Sequence, residues 1–302
     1  MLLGTRSGGQ ILKRSMTGAA LLCTRSHLQN VLIESLPQDS LKLGCCVKRV
    51  EAQGVVLTNG EMIAGDLVVD AAGIRAISSC PTESHYSGYG GVLALSHGVD
   101  GPGLAGQAAE YWGWGQRFGV FELPHNRRYW FFMRSQRFDA APPTIRECVQ
   151  AAERWPEPVC QAVAATHGGA LIPIAVYAKR PPDALSVNGV VKVGDAAHAM
   201  EPNLGQGACQ ALEDAVALMH AASNCSPNAI CTAYERLRLD RVRMFVREAT
   251  LARRGVHGPR LIQAILRTAL KALPPALSER RIGQMQTMPD YSILVSTALE
   301  NG

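Results

Sequence analysis

The chain has 302 residues, and none of the first 33 is acidic; aromatic residues make up only 6% and charged residues only 18%. No apolar run approaches the roughly 18 residues of a membrane span. Longer apolar stretches are cut, as at Glu122, Pro124, Arg127 and Arg128. Low charge beside 47% hydrophobic residues excludes an intrinsically disordered chain, and 29 glycines without a three-residue period exclude a collagen-like one. The nine cysteines are an odd number, contain no Cys-x-x-Cys, and place Cys45 next to Cys46. Strand neighbours point to opposite faces, so neither a disulfide framework nor a metal site is expected. Free thiols fit a reducing, cytoplasmic setting. The acid-poor start, with Arg6, Lys13, Arg14 and Arg25, also has the composition of a transit peptide, which makes an organellar location the alternative.

Thirty bases against 25 acids give a net charge of +5, which suits an anionic small ligand. Bases cluster once, from Arg236 to Arg254. No aromatic ladder interleaves with them, so a solvated helix face is expected and no nucleic-acid partner. The histidines show no metal-ligand spacing. No Ser-His-Asp or Cys-His pairing stands out, and no catalytic side chain is named.

Apolar positions 28, 31, 32 and 36 have helical spacing over 24–36, ended by Pro37. Residues 41–63 read as short strands with a turn at Asn59-Gly60. Leu67-Val68-Val69 is a short apolar strand running into the tight turn Asp70-Ala71-Ala72-Gly73. Residues 80–140 are richer in Tyr, Trp and Phe, and segments 117–123 and 128–134 predict an antiparallel sheet. Helical patterns follow over 144–166, interrupted by Pro156 and Pro158, then over 206–222, from about 228 to 255, and over 260–272. Pro173 and Pro181-Pro182 bound an expected connector, and the tail after Pro274 has no clear pattern.

The stretch 190–215 carries the chemistry. An apolar strand, Val190 to Val193, ends at Gly194, and Asp195 then sits past its carboxyl end, where open α/β sheets bind ligands. A carboxylate there can accept hydrogen bonds from ribose or ribitol hydroxyls. Pro202 fixes a loop, and Gly205 and Gly207 flank Gln206 just before a long helix. Backbone N–H groups without side chains can approach a flat or anionic ligand, and the positive end of the helix dipole favours it. His198 in this run reads as structural.

Gly194-Asp195-Ala196-Ala197-His198, Pro202-Asn203-Leu204-Gly205-Gln206-Gly207 and Glu213-Asp214-Ala215 together resemble the second FAD signature of the FAD-dependent aromatic hydroxylases, the single-component flavin monooxygenases. The resemblance implies that Asp195 holds the ribityl chain, Pro202 lies beside the flavin, and Leu204 to Gly207 line its ring. Thr24-Arg25-Ser26-His27-Leu28 is similar to the family's helix start whose Arg reaches the cofactor, which implies that role for Arg25. Val47 resembles the strand residue whose backbone meets the adenine. Residues 66–76 resemble the middle signature, but its Asp is Ala72 and its Ser is Ala76, a departure that bears on NAD(P)H use. Tyr234-Glu235-x-x-Arg238-x-x-Arg241 is similar to the family's C-terminal helix.

The resemblance spans roughly residues 20–260. It implies an α/β protein with α+β elements: a partial Rossmann-type FAD-binding domain, an antiparallel-sheet substrate domain and C-terminal helices. The expected segments are 1–80 and 181–225 for FAD, 81–180 for substrate, and 226–302 for helices and tail. The implied activity is hydroxylation or epoxidation of a small apolar or aromatic substrate with FAD, NAD(P)H and O2, the protein positioning substrate and excluding water. The Gly-x-Gly-x-x-Gly unit expected at the start is missing. Gly101-Pro102-Gly103-Leu104-Ala105-Gly106 matches it by letters, without the βαβ context. On this reading the chain starts inside the first domain, holds FAD poorly alone, and leaves Val68 and Val191 at an unpaired edge. The alternative function is a truncated, non-catalytic flavoprotein remnant that binds a small molecule or a protein.

Overall fold

The computed structural model describes residues 1–13, 22–79, 83–98 and 108–291; the letter match at 101–106 lies outside them. In chain order the strands are β1 (Leu2–Thr5), β2 (Gln10–Lys13), β3 (Val47–Glu51), β4 (Gly54–Leu57), β5 (Met62–Ala64), β6 (Val68–Asp70), β7 (Ser84–His97), β8 (Ala108–Trp112), β9 (Gln116–Leu123), β10 (Arg127–Ser135), β11 (Ile172–Lys179), β12 (Ser186–Val187) and β13 (Val190–Lys192). The helices are α1 (Arg25–Glu34), α2 (Ile145–Ala152), α3 (Glu157–Ala164), α4 (Asp195–His198), α5 (Gly207–Asn224), α6 (Ile230–His257), α7 (Arg260–Ala272) and α8 (Pro275–Gln286). The protein is thus a mixture of α and β elements, with one large sheet and two small ones.

Two units divide the chain. The first comprises Met1–Glu34, Gly88–Val176 and Arg253–Thr287; the second comprises Ser35–Ser87, Tyr177–Ala252 and Met288–Gly302. This grouping differs from the linear segments expected from sequence: residues 1–34 and 253–287 join the large sheet. Periodicity predicts an element but does not say which core it enters.

The first unit is built on a seven-stranded sheet of order β11-β7-β10-β9-β8-β1-β2. The aromatic segments pair antiparallel as expected, Phe118 opposite Phe132 and Val120 opposite Trp130. His125 and Asn126 take positive φ in the turn between them, the conformation that tight hairpins require. Side chains alternate between the two faces. Phe118, Val120, Trp130 and Phe132 pack with Val159, Ala162 and Val163 of α3 and Cys148 of α2. Helix α2 starts at a capping box, Thr144 Oγ1 accepting from Glu147 N at 3.3 Å and Glu147 Oε2 from Thr144 N at 2.8 Å. Three strands of this sheet escaped the sequence pattern. The expected connector after Pro173 is edge strand β11, where a missing N–H costs no ladder bond. The acid-poor start forms the β1–β2 hairpin, β1 running parallel to β8 with Leu3 and Ile11 buried.

In the second unit β6 and β13 pair in parallel and β12 pairs antiparallel with β13. The expected unpaired edge holds for one of the two residues: β13 is central, so Val191 is paired on both sides, whereas β6 ends the three-stranded order and carries Val68 on an edge strand, its side chain buried and that of Val69 exposed. The separate β3–β4–β5 meander touches this sheet where Ala52 meets the Gly189 turn. Helices α5 and most of α6 complete the unit. The tail after Pro274 contains α8, which belongs to the first unit, and then Tyr291, buried in the second.

Candidate cofactor site

Strand β13 is buried on both faces and ends at Gly194, which takes φ +55°. A side chain there would be strained, and its Cβ would lie 3.2 Å from Ala211 Cβ. The turn therefore rests directly on α5. Its amide is held from below: Gly194 N donates to Asp214 Oδ2 at 2.8 Å, and His198 Nε2 bonds the same oxygen at 2.6 Å. Arg238 Nε donates to Asp214 Oδ1 at 2.8 Å. The remaining Arg238 nitrogens reach Glu213, Gln210 Oε1 at 2.8 Å and the Tyr291 hydroxyl at 2.8 Å. Tyr291 in turn donates to Glu213, which also accepts from Arg241 Nε at 2.6 Å.

Burial opposes ionisation of Asp214. The His198 bond, the His198 and Arg238 charges and the Gly194 amide outweigh it and hold the carboxyl below the ordinary carboxylate range. Arg238 is pushed up by Asp214 and Glu213 in spite of its burial. His198 thus has the structural place read from sequence; its Nδ1 is buried without a hydrogen-bond partner.

Above this bracket the surface is open. Asp195 is exposed, and no hydrogen bond to its side chain occurs among the described residues. Pro202 and Gly205 are exposed, while Leu204, Gln206 and Gly207 are half-buried. Gly205 takes φ +64°, and a Cβ on Gly205 or Gly207 would meet no atom within 4 Å. Helix α5 begins at Gln206 without a side-chain cap and without an acid in its first turn. Its first amides therefore keep free donors for an oxygen-rich or anionic group. A free carboxylate for hydroxyl groups, bare amides and side-chain-free space fit the flavin and ribityl part of FAD.

Gly194, Asp195, Pro202 and Leu204 to Gly207 lie on one run of the second unit, from the end of β13 through α4 to the start of α5. Val47 starts β3 in the meander of the same unit. Arg25 opens α1, is exposed and belongs to the first unit. The altered middle segment forms a closed bracket. Asp70 accepts from Ala72 N at 3.0 Å, Ser78 N at 2.9 Å and Ser78 Oγ at 2.5 Å. Asp214, Arg238, Gln210 and Tyr291 had no assigned role in the sequence reading. The signal for the first was present: two adjacent acids in a helix of small apolar residues need buried partners.

The first unit holds a second polar cluster, on the sheet face opposite α2 and α3. Arg117 and Glu110 form a buried pair at 3.1 Å, and Trp112 Nε1 donates to the same Glu110 oxygen at 2.6 Å. Around it lie Tyr89, Phe131, Met133 and Val176, with Phe121 and Tyr129 partly buried. The His257 ring stacks on Tyr89 at 4.2 Å, with Nδ1 2.9 Å from Ser135 Oγ. Burial, with Arg117 and Arg253 nearby, lowers its pKa to about 3. Aromatic side chains thus surround a buried ion pair on this face, and Tyr89 and Phe131 are themselves buried.

Residues 69–249 match the family described as FAD binding domain. Aurachin C monooxygenase/isomerase of Stigmatella aurantiaca is 33% identical over 236 residues, covering 74% of this chain and 61% of that protein. FAD-dependent urate hydroxylase of Klebsiella pneumoniae is 29% identical over 254 residues, covering 78% and 65%. A solved variant of Klebsiella pneumoniae HpxO complexed with FAD superposes with a TM-score of 0.81 at 25% identity, covering 94% of this chain and 80% of that one. The chain spans 61% and 65% of the length of these two curated relatives.

Proposed function

Because the chain belongs to the FAD binding domain family, we propose that residues 194–207 hold the flavin end of FAD and that the protein is an FAD-dependent monooxygenase. It hydroxylates or epoxidises a small apolar or aromatic substrate at the expense of NAD(P)H and O2, in the cytoplasm. The observation that carries this reading is the uncapped start of α5, on the helix whose Asp214 carboxylate fixes the Gly194 amide beside the exposed Asp195. Bound FAD supplies the redox chemistry, taking electrons from NAD(P)H and activating O2. Asp195 anchors ribityl hydroxyls, and Gly205 to Gly207 present amides and the helix dipole to the flavin edge, where negative charge gathers on reduction. Arg25 and the Val47 backbone serve the rest of the cofactor. A binding module without chemistry would have no need of so specific a bracket under a glycine turn.

The test is the purified protein itself. It should turn yellow with FAD added in excess and release FAD on denaturation. Asp195→Ala should weaken FAD by about 1–3 kcal/mol through loss of hydrogen bonds. A colourless protein that takes up no flavin would instead favour the binding-module reading.

A further inference from the structure

We propose that α7 and the adjoining tip of the β8–β9 hairpin form a docking surface for an anionic phospholipid bilayer. Between Glu248 and Glu279 the chain has no acid and five bases, Arg253, Arg254, Arg260, Arg267 and Lys271. Helix α7 turns Gln263 inward, and Leu270 packs with the cluster of Leu3, Ile11, Trp112 and Val256. Its other side carries an apolar stripe into solvent: Leu261 is 72% exposed and Ile265 58%, with Ile262 beside them. Arg260, Arg267 and Lys271 follow at helical spacings of seven and four, which places them along one flank of that stripe. Trp114, 53% exposed, stands at the hairpin tip. Arg267 fixes it to the helix, its guanidinium 4.4 Å from the ring centroid and bonded to Gly113 O at 2.5 Å.

An exposed apolar stripe with a basic flank and an amphipathic indole is the composition of a helix lying in the headgroup region. Among the described residues no helix is long and apolar enough to cross a membrane, and α7 has 13 residues, so it lies on the bilayer and does not span it. A second copy of the chain fits less well. Two-fold pairing of the patch would set bases against bases, with no acid in the segment to answer them. A bilayer carrying negative headgroups supplies both the counter-charge and the apolar layer. This inference is independent of the flavin reading.

The full chain should co-sediment with vesicles of phosphatidylcholine mixed with phosphatidylglycerol. It should stay in solution with phosphatidylcholine alone and be released by high salt. Lys271→Glu should weaken binding about fivefold or more, in line with the contribution of a surface base. Leu261→Glu with Ile265→Glu should abolish it while the circular dichroism spectrum stays unchanged, because both side chains are exposed. A blue shift of tryptophan emission on anionic vesicles should disappear in Trp114→Phe. Failure to bind anionic vesicles, equal binding to both vesicle types, or undiminished binding of the double variant would overturn the proposal. So would a wild-type dimer that the double variant dissolves without any vesicle binding, which would mark the face as a self-association surface.

Discussion

The two units hold themselves together by different means. In the first, the core beneath the large sheet is apolar: Trp130 is buried among Phe118, Phe132 and α3, and its one polar atom donates to Thr166 Oγ1 at 2.8 Å. In the second, the centre is a set of buried charges, with Arg238 completely inaccessible between Asp214 and Glu213. Apolar packing is tolerant of small shifts, because dispersion is summed over many weak contacts. A carboxylate bonded to a backbone amide fixes that amide in direction as well as place. The difference teaches where precision is spent: an apolar core needs shape, whereas the Gly194 turn is held by bonds that fix its backbone in direction.

The comparison can be broken most sharply at the two centres. Arg238→Leu and Trp130→Ala should each cost about 3–5 kcal/mol, the first by stranding buried carboxylates and the second by opening a cavity. Their pH dependence should separate them. The folded-state pKa of Asp214 is lowered, so its contribution is present above the unfolded value near ~3.9 and is lost as pH falls through the folded value. Arg238→Leu removes one cause of that lowering and should flatten the acid limb of a denaturant-derived stability profile. Trp130→Ala should shift the whole profile down in parallel. Parallel shifts in both would mean that the Arg238 network acts as packing alone.

His257 gives the first unit a polar exception to test. Its pKa is lowered to about 3 in the fold, from an ordinary value near 6.5, so the neutral ring is the one that packs on Tyr89. The unfolded chain takes up its proton first as pH falls. The stability it contributes is therefore full above ~6.5 and drains away toward pH ~3. We expect about 2–3 kcal/mol of pH-dependent stability over that window, discounted for partial exposure. His257→Phe, which keeps an aromatic ring on Tyr89, should remove it.

Tyr291 sharpens the comparison from the other side. It joins the second unit from beyond α8 and touches both Glu213 and Arg238. Tyr291→Phe keeps the ring and should cost about 1.5–3 kcal/mol through loss of the hydroxyl's two hydrogen bonds to charged groups. Hydrogen exchange should quicken in peptides spanning 193–199, with those of β9 and β10 unchanged. Equal effects in both regions would show that the hydroxyl serves global stability and not the Gly194 turn.

The local structure of the candidate site was legible from sequence because its residues lie in one run. The order of strand, Gly194, Asp195, Pro202, glycines and helix is a local grammar, and the chain folds it locally. The antiparallel aromatic strands were legible for the same reason, since alternation marks a half-buried sheet. What the sequence hid is long-range. Nothing near Arg238 announces Asp214, 24 residues earlier, or Tyr291, 53 later. Strand β11 was masked by Pro173, which an edge tolerates and a central strand does not. Hairpin β1–β2 was masked by a composition that is equally that of a targeting peptide. The grouping of residues 1–34 with the sheet depends on β1 finding β8 more than 100 residues away, a partner that no local pattern encodes.

The central claim is that the 194–207 segment is a flavin cradle, and Gly207→Val tests it most directly. Apart from its chain neighbours and the backbone of its own helix, no atom lies within 4 Å of a Cβ at position 207, so the variant has room for its side chain in the protein alone. The account predicts a small change in stability, about 0.5 kcal/mol, because the added side chain meets no packed neighbour. It predicts at the same time a loss of FAD binding in fluorescence titration, because the isopropyl group stands where the ring would lie. A variant as stable as wild type that binds FAD with wild-type affinity would contradict it.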